Sequence, residues 1–173
     1  MEVTYNNKTY TLSKKERRVG GEAPAVRITM LNNETKVIGM MAPKTQVMIT
    51  LLYAQDYSQE LHSILQAYPH KISFYVITSD TKEALESVIS HFDLPQEQCS
   101  VDFKEFASKF GVNMEDEHIA KSLFIISKEG EISYIQQHKD VEEAFDLEDF
   151  KTQLFALINQ KQKGHTHENW MGV

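Results

Sequence analysis

Cysteine is nearly absent: Cys99 is the only one in 173 residues. A lone thiol excludes an internal disulfide and any Cys-x-x-Cys redox pair, so no covalent staple holds the fold. Long apolar runs are missing too. No stretch approaches the roughly 20 apolar residues that span a bilayer. The opening MEVTYNNKTY lacks the basic start and apolar run of a signal peptide. Positive charge is in the minority, 18 Lys and Arg against 25 Asp and Glu, for a net charge of -7. This balance argues against the basic stripe on which nucleic acids and anionic membranes are bound. Internal repeats and low-complexity segments are also lacking. The cytoplasm is the expected compartment, with neither nucleic acid nor membrane as partner.

What is present is an ordinary globular balance, 41% hydrophobic and 25% charged, in a chain long enough for one domain with a full core. Val3 to Leu12 reads as a hairpin, because Val, Thr and Tyr favour strands and Asn6-Asn7 tolerates the positive φ of a tight turn. Val47 to Leu52 is a nearly continuous apolar run, expected of a central strand buried on both faces. From Ser58 the spacing changes to that of a helix carrying Leu61, Ile64, Leu65 and Tyr68 on one face, ended by Pro69. Ile72 to Thr78 is a second strand. Asp80-Thr81-Lys82-Glu83 and Asp102-Phe103-Lys104-Glu105 both resemble capping boxes opening helices, with a short strand from Cys99 to Val101 between them. The first helix turns Ala84, Leu85, Val88 and Phe92 inward; the second buries Phe103, Phe106, Ala107 and Phe110 and ends at Gly111. Ser122 to Ile126 and Glu131 to Ile135 flank the turn Lys128-Glu129-Gly130 as a hairpin, and Asp146 caps a last helix. The order predicts an α/β sandwich around a mixed sheet. Residues 1–163 form the expected domain, and 164–173 a tail without a pattern of its own.

Several local sequences carry a resemblance. Val19-Gly20-Gly21-Glu22-Ala23-Pro24 matches a G-x-x-A-P entry segment, Thr78-Ser79-Asp80 a strand end, and Phe110-Gly111-Val112 an aromatic-Gly-Val helix ending. Together with the N-terminal hairpin, and in this order and spacing, they resemble the bacterial thiol peroxidases, atypical two-cysteine peroxiredoxins. The resemblance runs from about Val3 to the end of the last helix. It implies a thioredoxin-like fold with a central mixed sheet, helices on both faces and an N-terminal β-hairpin. It also implies a homodimer and, for an intact member, thioredoxin-dependent peroxide reduction without a bound cofactor.

The reacting segment of that family reads P-x-x-x-T-x-x-C. The matching positions here put Tyr53 at the proline, Tyr57 at the threonine and Glu60 at the peroxidatic cysteine, and only Asp56 is retained. The resolving cysteine falls on Ile89, and the family's arginine on Lys121. Peroxide reduction takes two electrons from a thiolate sulfur, which becomes a sulfenic acid. A carboxylate has no comparable redox chemistry, and Tyr57 puts a ring where a compact hydroxyl belongs. The expectation is a protein without peroxidase activity that works by binding or regulation.

Each singled-out residue also has a plainer reading. Glu60 and Lys121 form either a permanent charge pair replacing thiolate and arginine, or a solvated carboxylate in a first helical turn and a separate cation. Cys99 is either a working thiol, making the chain an oxidoreductase that uses an external thiol, or a small buried hydrophobe. Tyr53, Tyr57, Tyr68 and Tyr75 are a ligand-binding cluster or simply core. His62, one residue beyond Leu61, is expected on the exposed flank. His165 and His167 with Glu168 are weak metal ligands or a polar terminus. Trp170 and Met171 are expected to dock on the body, a dimer mate or a protein partner.

Overall fold

The computed structural model describes residues 1–12, 17–115 and 117–171, with side chains as far as residue 159. The chain opens with the antiparallel hairpin β1 (Glu2–Tyr5) and β2 (Lys8–Thr11). Asn6 and Asn7 turn it, at φ 50° and 61°, the left-handed conformation that asparagine adopts more readily than most residues. A second antiparallel hairpin follows, β3 (Ala25–Thr29) and β4 (Thr35–Gly39), which the sequence reading did not assign.

The central elements are β5 (Thr45–Leu51), α1 (Gln59–Gln66), β6 (Ile72–Thr78), α2 (Lys82–Phe92), β7 (Cys99–Ser100) and α3 (Lys104–Phe110). A short 3-10 turn, Ala54–Asp56, separates β5 from α1. Two-residue strands β8 (Asn113–Met114) and β9 (His118–Ile119) pair with each other, and β10 (Ser122–Ile126), β11 (Ile132–Gln137) and α4 (Leu147–Met171) complete the chain. The main sheet runs β11-β10-β5-β6-β7. β5, β6 and β7 are parallel, whereas β10 is antiparallel to both of its neighbours. This is the mixed α/β sheet expected.

All seven residues of β5 are buried, because successive side chains enter opposite layers of the sandwich. Val47, Ile49 and Leu51 join Leu61, Ile64 and Leu65 of α1, Leu85 and Val88 of α2, and Phe150 and Leu154 of α4. Met48 faces the other layer, with Ile77, Phe124 and the α3 residues Phe106 and Phe110. Each large aliphatic side chain buried this way contributes about 1.5–3 kcal/mol of transfer free energy. The outer hairpin is latched to the sheet by Gln46. Its carboxamide accepts from Gly39 N and donates to Gly39 O and Met40 O, each at 3.0 Å.

The helix ends depart from the sequence reading in one respect. Ser58 Oγ caps α1 by accepting from Leu61 N at 3.1 Å, and Asp146 Oδ1 accepts from Asp149 N at 3.0 Å at the start of α4. The two capping boxes do not form. Thr81 caps α2 through its Oγ1, and Phe103 stands at the N-cap of α3 without a side-chain cap bond. The carboxylates read as caps instead join distant segments: Asp80 Oδ2 accepts from Ala54 N at 3.0 Å, and Asp102 Oδ2 from Thr29 N at 2.9 Å. Backbone N–H groups at irregular positions need acceptors as much as helix ends do, and these two claimed the aspartates. Gly111 closes α3 at φ 71°.

The backbone of α4 continues to Met171, past the boundary that sequence pattern sets at 163/164. The side chains of His165, His167, Trp170 and Met171 lie outside the described residues, so their metal-binding and docking readings stay with the sequence. Among the described residues no helix is long and apolar enough to cross a membrane.

Candidate functional site

The remnant positions lie where β5 gives way to α1. Tyr53 precedes the 3-10 turn, whose first N–H is held by Asp80 at the start of α2. Its ring is 36% exposed, and its hydroxyl meets that of Tyr5 from β1. Hydrogen bonding to Tyr5, followed by burial, pushes the Tyr53 hydroxyl up to about 12.

Tyr57, four residues on, turns the other way. It is 2% exposed, its ring meets Phe92 edge-on at 5.0 Å between centroids, and its hydroxyl lies 2.9 Å from Nδ1 of His62. Burial raises the phenol strongly, so it stays protonated. His62 is half-buried rather than on an exposed flank. Its ring lies 5.1 Å from Phe92, and burial lowers its basicity. Tyr68 meets Phe155 edge-on and Tyr75 packs in the opposite layer, so the four tyrosines do not form one ligand-binding cluster.

Cys99 begins β7 and is 0% exposed, in the same core cluster as Tyr57. Desolvation, with a smaller contribution from the Glu97 carboxylate, pushes its thiol from 9.0 up to about 12. A thiol in that state supplies almost no thiolate at neutral pH and presents no sulfur to solvent.

The postulated Glu60–Lys121 pair does not form. Glu60 is exposed in the first turn of α1, with no ion pair among the described residues. Lys121 is only 6% exposed; its ammonium donates to the Glu143 carbonyl at 3.0 Å and lies 4.6 Å from the centre of the Phe145 ring. Its acidic neighbour is Asp56, with Oδ2 at 3.8 Å. The 3-10 turn places Asp56 beside Lys121, while the first turn of α1 leaves Glu60 in water. Lys121 therefore bridges the 3-10 turn and the segment between β11 and α4.

Sequence reading missed Tyr5, Phe92, Glu143 and Phe145 at this site, since each comes from a distant segment and carries no local motif. Only His62 left a signal, five residues after Tyr57. Among the described residues no three His, Cys, Asp or Glu side chains converge as a metal site. Tyr57, with His62 and Phe92 against it, shares its core with the buried thiol of Cys99, and the buried cation Lys121 is paired with Asp56.

No family model and no curated protein matches the chain. Solved structures do. A peroxiredoxin-like protein from Aquifex aeolicus superimposes with TM-score 0.79 at 22% identity, covering 90% of this chain and 96% of that one. The thiol peroxidase of Chromobacterium violaceum gives 0.73 at 16% identity, covering 95% and 98%. AhpC of Mycobacterium tuberculosis gives 0.62 at 16% identity, covering 82% and 93%. The fold is thus a thioredoxin fold. More narrowly, it is the peroxiredoxin-like form of that fold, with the N-terminal hairpin in place.

Proposed function

We propose that the chain is a peroxiredoxin-like protein that performs no peroxidase chemistry and acts by binding or regulation. One observation carries the reading: its only thiol is fully buried with its ionisation suppressed, while the position of the attacking sulfur holds the solvated carboxylate of Glu60. Two-electron reduction of a peroxide needs an accessible thiolate. The ring of Tyr57, at the position where the family pattern has a compact threonine, packs with His62 and Phe92 and leaves no small hydroxyl there to meet a peroxide. In keeping with the family resemblance, the protein is a cytoplasmic homodimer, with the C-terminal segment from 164 as its contact to a protein partner.

The test is peroxide consumption coupled to thioredoxin and its reductase, with hydrogen peroxide and an alkyl hydroperoxide. Wild type and Cys99→Ala should both run at the uncatalysed rate. Turnover by wild type that Cys99→Ala abolishes would overturn the proposal and make Cys99 the nucleophile of an external-thiol oxidoreductase. Glu60→Cys alone should not suffice for full activity, because Tyr57 and Lys121 would still leave the peroxide poorly oriented and orientation supplies much of such a barrier.

A further inference from the structure

Seven tyrosines are spread over the chain, and only two have rings in mutual contact among the described residues, which include all seven. Tyr5 of β1 and Tyr53 meet hydroxyl to hydroxyl, with ring centroids 6.1 Å apart and planes tilted by 59°. The backbone next to each ring is anchored. β1 is fixed by Thr4, whose N–H donates to Lys139 O at 2.6 Å and whose carbonyl accepts from Val141 N at 3.1 Å. Tyr53 is fixed by the bond from Ala54 N to Asp80. Tyr53 is exposed and Tyr5 half-exposed, whereas Tyr57 and Tyr134 are buried.

We propose that Tyr5 and Tyr53 are an oxidative modification site, joined into an intramolecular dityrosine by a one-electron oxidant. Each phenol gives up one electron to the oxidant and one proton to water, leaving a phenoxyl radical. The two radicals couple through a new carbon–carbon bond between ring positions ortho to the hydroxyls. Each ortho proton then moves to its oxygen and restores the phenol, so the chain has lost two electrons and two protons in all. The hydroxyl contact and the 6.1 Å between ring centroids keep the two phenols together, so their radicals need not diffuse to meet. Groups held side by side in one chain couple faster than groups that must meet from separate molecules.

The chemistry needs no thiol and so stands apart from the question of peroxidase activity. It would tie the N-terminal hairpin to the turn before α1, closing a loop between positions 48 residues apart in sequence. A cross-link of that span restrains the unfolded chain as a disulfide does.

The test uses the full chain at low concentration with a photolysed ruthenium tris-bipyridyl complex and persulfate as the one-electron oxidant. The expected product migrates as a monomer under denaturing conditions, has lost two hydrogen atoms by mass, shows dityrosine fluorescence and yields one linked peptide joining Tyr5 to Tyr53. Tyr5→Phe and Tyr53→Phe should each lose that product, while Tyr10→Phe keeps it; unchanged circular dichroism establishes that the variants fold. Cross-links through other tyrosines, covalent dimers alone, or oxygen addition without the 5–53 link would each overturn the proposal.

Discussion

Asp56 and Lys121 face each other, with Oδ2 and Nζ 3.8 Å apart, while Glu60 stands in solvent. The cation at the family's arginine position is therefore answered by the acid that the resemblance marks as retained, not by the one at the cysteine position. Lys121 is almost wholly buried and Asp56 about one-third exposed, at 6% and 33%. Solvent reaching Asp56 screens the attraction, so the pair is worth far less than a fully buried one.

A double-mutant cycle of Asp56→Asn and Lys121→Met on denaturant stability should give a coupling of about 1 kcal/mol. Glu60→Gln combined with Lys121→Met should give a coupling indistinguishable from zero. Lys121→Met alone should cost about 1 kcal/mol, since a part-buried hydrogen bond to the Glu143 carbonyl is lost. A larger coupling through Glu60 would reverse the assignment of partners.

Alkaline stability should report on Cys99 and Tyr57. Both groups hold their protons longer in the folded chain than in the unfolded one, Cys99 up to about 12 against 9.0, and Tyr57 well above 10.0. Below pH 9 the contribution is intact. As pH rises further the unfolded chain ionises first, and stability falls by up to about 1.4 kcal/mol per pH unit for each group. Denaturant midpoints followed from neutral pH to about pH 11 should fall less steeply in Cys99→Ala and in Tyr57→Phe. Identical slopes in wild type and both variants would show that neither proton is held.

The acid side should report on His62. Its folded-state pKa is lowered from 6.5 by burial. The unfolded chain therefore takes up the proton first, and stability is full above 6.5 and declines as pH falls below it. Proton titration by NMR should show His62 titrating below 6.5, and His62→Gln should flatten the stability profile below that pH. A His62 that titrates at 6.5 or above would mean that the contact with Tyr57 and Phe92 does not exclude water.

Much of the fold was legible because burial writes itself into sequence. The run from Val47 to Leu52 could only be a strand covered on both faces, and Ile72 to Thr78 matches β6 residue for residue. The β3–β4 hairpin escaped notice because its strands are only five residues long and the second one breaks the alternation. β3 buries only Val26 and Ile28, and β4 leaves Val37 51% exposed. The aspartates of the two apparent capping boxes were misread for another reason: a local motif shows that a carboxylate can cap, not which N–H group elsewhere in the fold competes for it. The pairings at the candidate site were not legible. Counting along a family pattern singled out Glu60 and Lys121, yet the 3-10 turn decides which acid faces the cation, and that turn leaves no mark in the spacing.

Gln46 has a consequence for how the molecule opens. Its carboxamide offers a donor and an acceptor in the geometry of a peptide unit, so Gly39 at the end of β4 finds in a side chain the neighbouring strand it lacks. The outer hairpin shares no strand ladder with the main sheet, and this amide is a polar clasp between them. A clasp of that kind divides the chain into two units of unequal protection: β3 and β4 exchange their amide hydrogens through a partial opening, while β5 and β6 exchange only when the whole domain unfolds. The bonds of Gln46 are among those that such an opening must break, together with those joining Thr29 to Asp102 and Ser100 and Leu31 to Cys99.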